Sequence, residues 1–169
     1  MNSSIRVNYA TGHTGKVIAA RLLPGTDLIT GIEELCKEAG ITYASVANCF
    51  GSFQKAAYFY LVPKPESNVG AGYGDLTVLN GPIEFLNGTG VVCQRDGDFE
   101  THLHGTFCDK EGKVYGGHIV KGQNPVITVD LILSEIVGVE LFRKFDEETG
   151  ANQLYPVTAG KSFPFTISK

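Results

Sequence analysis

From Asp98 to Ile119 the chain reads DFETHLHGTFCDKEGKVYGGHI, two apolar-polar alternations divided by a turn signal, and this stretch constrains the fold more than any other. Successive strand side chains point to opposite faces, so Phe99, Thr101, Leu103, Gly105 and Phe107 share one face while Glu100, His102, His104 and Thr106 share the other. Lys110-Glu111-Gly112 fits a three-residue hairpin loop, with Gly112 taking the left-handed position of a type I turn plus G1 bulge. Asp109 then stands opposite Lys113, Phe107 opposite Tyr115 and Leu103 opposite Ile119, so the apolar faces coincide. A one-residue slip would set Leu103 against His118 and mix them.

That register places His104 directly across from His118, with β-carbons roughly 5 Å apart, and His102 diagonally at about 7–8 Å. Gly116 adds no side chain beside them, which leaves room for a ligand or another backbone. Three imidazoles converging on one point suit a borderline divalent cation, zinc before others, with a fourth position open to water, a small ligand or a partner residue. Glu100, on the same face, is the candidate base: it could complete the site, orient an imidazole, or take a proton from a water at the open position. The competing reading is that the histidines are polar groups on a solvated sheet face or at a subunit interface, with no metal. A cupin-type site also uses His-x-His on a strand, but Cys108 and Asp109 stand where that motif expects a glutamate. Spacing by itself assigns no reaction.

Elsewhere, KVIAARLL (16–23) predicts a strand, and Leu28, Ile29, Ile32, Leu35, Cys36 and Ala39 fall on one face of a helix capped by Thr26 or Asp27 and ended by Gly40. YASVANCF and KAAYFYLV predict strands parted by Gly51-Ser52-Phe53, and PKPESNVGAGYG (63–74) a loop long enough to be functional. IEFLNG, GVVCQ and the long PVITVDLILSEIVGVELF predict further strands. From Arg143 the periodicity fades, giving a core of about residues 16–142 and a C-terminal tail of 143–169. The pattern is an α+β fold in a single domain, residues 1–169: a largely antiparallel or mixed sheet packed with one main helix.

A net charge of −4 over 169 residues, with scattered basic side chains, argues against a broad nucleic-acid-binding face. Cys36, Cys49, Cys93 and Cys108 lack CxxC spacing and read as packing thiols of a reducing compartment. The N-terminus lacks an apolar leader and no segment looks membrane-spanning, so a cytoplasmic location is expected. TGHTGK (11–16) lacks phosphate-loop spacing, and His13 reads as an ordinary loop histidine. Cys108 reads as a filler beside the turn. Asp130, among apolar neighbours, would need a partner such as Arg21 or Arg143 if buried.

RLLPGTDL (21–28), GSF (51–53), GPIEFL (81–86), HLHGTFCDKEGKVYGGHI (102–119) and FRKFDEETG (142–150) together resemble the plant and prokaryote conserved (PPC) domain family, which also occurs in plant AT-hook nuclear proteins. The resemblance implies an α+β homotrimer with the histidine cluster near subunit contacts and, in some prokaryotic members, a metal there. GPIEFL is similar to the family's Gly-Arg-Phe-Glu-Ile-Leu partner-binding stretch, but Pro82 and Ile83 replace its Arg and Phe. No AT-hook is present. The leading expectation is a trimeric metal-binding protein using His102, His104 and His118; the alternative is a DNA-associated regulatory protein acting through oligomerisation and partner contacts.

Overall fold

The computed structural model describes residues 6–160. Strands dominate it: ten, with one helix, in the order β1 His13–Leu22, α1 Leu28–Glu38, β2 Ala44–Phe59, β3 Leu61–Pro63, β4 Ala71–Tyr73, β5 Thr77–Arg95, β6 Asp98–Cys108, β7 Val114–Ile119, β8 Val126–Val137, β9 Val139–Asp146 and β10 Ala151–Thr158. The α+β expectation therefore holds loosely. At 63% strand the described residues are mostly β, with one helix as a cover on the core.

The helix forms where its spacing predicts. Asp27 caps it, its Oδ1 accepting from Thr30 N at 3.0 Å, and Leu28, Ile29, Ile32 and Cys36 are fully buried. Each such side chain contributes about 2 kcal/mol of apolar transfer before its entropy cost.

Strand β2 organises the sheet. Along one edge it pairs with β5; along the other it pairs first with β8, over residues 44–53, and then with β7 at Tyr58 and Phe59. Since β7 pairs with β6 and β6 with β5, the four strands β2, β5, β6 and β7 close a ring. Phe53, Phe85 and Phe107 fill it, with centroids 4.6 to 5.8 Å apart. Strands β8 and β1 extend the sheet from β2, and β9 and β10 extend it from β5.

Several predicted breaks are bends within longer strands. Gly51-Ser52-Phe53 does not separate two strands, because Gly51, at φ 151°, carries β2 through an irregularity against β5. A Cβ there would lie 2.1 Å from the Thr128 carbonyl oxygen. IEFLNG and GVVCQ likewise merge into β5, whereas the long run after Pro125 divides at Gly138 into β8 and β9. The expected tail from Arg143 is also different: residues 143–158 belong to the antiparallel β9–β10 hairpin, whose register runs from Ala151 opposite Asp146 to Thr158 opposite Val139. Residues 161–169 of that tail lie outside the described residues. Asp130 is exposed on β8, so it needs no buried partner.

Candidate metal centre

The β6–β7 hairpin has the predicted register: His104 pairs with His118 and Phe107 with Tyr115. Gly112 sits at φ 79°, and Asp109 N donates to Lys113 O at 3.1 Å. Asp109 locks the turn, accepting from the Glu111 and Lys113 amides through Oδ1 and from Tyr115 Oη through Oδ2. The ladder stops at His104–His118. His118 also pairs with Phe59 of β2 and Ile119 with Tyr58, but Ile119 has no partner on β6, so Leu103 and Ile119 do not pair and residues 98–103 of β6 lack a strand neighbour on that edge. On that edge Thr101 N donates to Glu33 Oε1 of α1 at 3.1 Å, supplying the bond the ladder lacks.

The three imidazoles converge. His102 and His118 centroids lie 5.0 Å apart, His102 and His104 5.0 Å, and His104 and His118 5.4 Å. One nitrogen from each falls within 4.8 Å of the others. Gly116 and Gly117 serve close backbone packing instead of opening space for a ligand: a Cβ at Gly116 would lie 2.9 Å from Gly105 O, and one at Gly117 2.1 Å from Phe59 O. His13 opens β1 opposite Val137, and Cys108 lies four pairs along the ladder from His104; neither joins the group.

Burial lowers the pKa of all three rings, because an imidazolium loses hydration there. For His102 and His118 the nearby Arg143 guanidinium and the neighbouring imidazoles add to this, taking both down to about 4, while for His104 Arg143 adds to burial and holds the ring below its usual value. Neutral imidazoles at neutral pH fit a metal centre, since an ion needs their lone pairs.

Arg143, Arg95 and Tyr73 lie around the histidines and Glu100 without any local sequence signal for that placement. Arg143 of β9, nine-tenths buried, points its Nη1 at His102 Nδ1 at 3.1 Å. An arginine only donates, so the neutral His102 ring carries its proton on Nε2, 3.1 Å from His104 Nε2. An ion ligated by that Nε2 requires Arg143 to release the ring. Glu100 is held between two arginines, its Oε2 2.8 Å from Arg95 Nε and its Oε1 3.7 Å from Arg143 Nε. Neither Glu100 Oε2 nor Arg143 Nε has an aligned hydrogen bond, so these are charge contacts only. The predicted 63–74 loop is the β3–β4 hairpin, and it sets the Tyr73 ring 5.2 Å from the His118 ring. Its Asn68 Nδ2 donates to Glu147 O at 2.7 Å, tying it to the β9–β10 turn.

Beside the histidines lies a cavity of about 410 Å³, bounded by the free edge of β6, by Ile29 of α1 and by Lys121, Arg95 and Arg143. Lys121 Nζ pairs with Glu33 Oε2 at its rim.

The Plants and Prokaryotes Conserved domain model matches residues 9–137. Among solved structures, a metal-containing protein from Archaeoglobus fulgidus is 29% identical at a TM-score of 0.74, covering 89% of this chain and 99% of that one. A plant- and prokaryote-conserved protein from Pyrococcus horikoshii is 26% identical at a TM-score of 0.73, covering 86% and 96%. The bifunctional protein GlmU of a Synechococcus strain is 28% identical over 151 residues, which is 88% of this chain but only 22% of that protein. The chain thus spans about a fifth of the length of the curated relative it matches.

Proposed function

The chain belongs to the Plants and Prokaryotes Conserved domain family, and from that premise we propose that it holds a divalent metal ion on His102, His104 and His118. The observation carrying this reading is the convergence of three neutral imidazole nitrogens within 4.8 Å on one hairpin. Nitrogen donors of this softness favour zinc. The metal-containing Archaeoglobus relative supports the reading. A tetrahedral ion would keep one position for a small ligand or for hydrolytic chemistry. Glu100 is the nearby carboxylate that could take a proton there, and two arginines hold it in place.

We read the working unit as a homotrimer. Val17, Phe50 and Ile132, large and exposed, lie on the face of β1, β8 and β2 turned away from the core, and covering them would remove apolar surface from water. The four unpaired thiols fit a cytoplasmic setting. No helix among the described residues is long and apolar enough to cross a membrane.

Elemental analysis of protein purified without added metal should find a stoichiometric transition metal. Zinc added to stripped protein should raise its melting temperature, by the equivalent of about 2.7 kcal/mol at a hundredfold excess over Kd, and His104→Ala should abolish the rise. A stripped protein whose melting temperature ignores zinc overturns the reading.

A further inference from the structure

The hydrogen bonds among the histidines run in one direction. Arg143 Nη1 lies 3.1 Å from His102 Nδ1, and His102 Nε2 lies 3.1 Å from His104 Nε2. A guanidinium has no acceptor atom, so it donates, and His102 Nδ1 carries a lone pair. In the neutral ring the proton is then on Nε2, which makes His104 Nε2 the acceptor and leaves the His104 proton on Nδ1. The chain of donors from Arg143 through His102 to His104 thereby uses both Nε2 atoms. His104 already has the tautomer that ligation through Nε2 needs. His102 has the opposite one.

Arg143 has somewhere else to go. It is nine-tenths buried, its Nε makes no aligned hydrogen bond, and that Nε lies 3.7 Å from Glu100 Oε1. Glu100 Oε2, although 2.8 Å from Arg95 Nε, also lacks an aligned bond, so the carboxylate has lone pairs to spare. For a buried guanidinium an ionised acceptor is stronger than a neutral imidazole. We propose that Arg143 sets the affinity of the histidine site by holding His102 in the tautomer that cannot ligate through Nε2, and that occupation of the site moves Arg143 from His102 onto Glu100. This rests on the metal reading above and gives that site its regulation. On release His102 gives up its Nε2 proton to water and takes one from water at Nδ1, so the ring stays neutral and the proton count is unchanged. Arg143 acts through His102 and is a positioning residue. A site closed by its own hydrogen bonds binds less tightly than its three donors allow, which suits an ion that is exchanged.

Proton–nitrogen NMR correlations within each imidazole read the tautomers directly, and zinc alone is the probe. Stripped protein should show His102 protonated on Nε2 and His104 on Nδ1, and zinc should move only His102. Arg143→Met should give a His102 population protonated on Nδ1 before zinc is added. It should also tighten zinc binding roughly tenfold or more, the size of one charged hydrogen bond. Loss of a like charge would by itself tighten zinc but would leave the tautomer alone, so tighter binding with His102 still wholly on Nε2 overturns the proposal. Unchanged zinc affinity in a folded Arg143→Met does the same. So does a stripped wild-type protein with His102 on Nδ1, a measurement that needs no variant and decides the matter if Arg143→Met does not fold. In all three cases zinc binding by the wild type leaves the metal reading standing. If only Arg143→Met takes up zinc, the hold of Arg143 on His102 is upheld and the metal reading of the wild type falls; if neither protein does, both fall.

Discussion

His102 and His118 make the metal-free protein's stability depend on acidity in a definite direction. Their folded pKa values, about 4, lie below the ordinary 6.5. Between those values the unfolded chain takes up protons that the native state refuses, so stability falls as pH drops from about 6.5 toward 4 and the effect saturates below that. The melting temperature of stripped protein should follow this course, and the His102→Ala, His118→Ala double variant should show a shallower slope over the same window. Asp109 adds to the acid loss. Its carboxylate is held below the usual range by the Lys113 amide, by Tyr115 and by the Glu111 amide, so the turn it locks weakens as that carboxylate is protonated.

At the scale of elements, the joint most exposed to a single change lies between β2 and the segment before β8. Asn124 is fully buried; its Oδ1 accepts from Ala57 N at 2.7 Å, and its Nδ2 donates to Ala57 O and Val120 O. It stands in for a missing strand neighbour. Asn124→Ala takes the partner from the Ala57 N–H, while Ala57 O and Val120 O keep only their bonds from Val120 N and Gln123 N, and it should cost about 1–3 kcal/mol in urea unfolding. What the sequence made legible follows the same division between local and distant causes. The histidine hairpin could be read because its alternation, turn glycine and apolar register all sit within 22 residues, Asp98 to Ile119. The length of β2 and β5 could not, because the partners that carry each strand past its irregularities come from far along the chain. Arg143 was read as the start of a tail for the same reason: it reaches His102 only because β9 lies beside β5, two strands from β6.

For the whole molecule, light scattering on a sizing column should give three times the monomer mass, and Phe50→Glu should drive the species toward monomer if the β1, β8 and β2 face carries the contact. Association with DNA, the alternative reading, should be undetectable even at low salt: the net charge is −4, and Arg95, Lys121 and Arg143 are each set against a glutamate. The pairing of β1 with β8 also has a consequence in time. Leu22 faces Val129 and His13 faces Val137, so β1 cannot find this neighbour until the ribosome has added over a hundred further residues. During synthesis β1 waits with its hydrogen-bonding edge unclaimed, and the sheet zips shut only after β8 has emerged. A nascent chain stalled before Val126 should therefore remain open to protease at β1, while one released beyond Val137 should resist it.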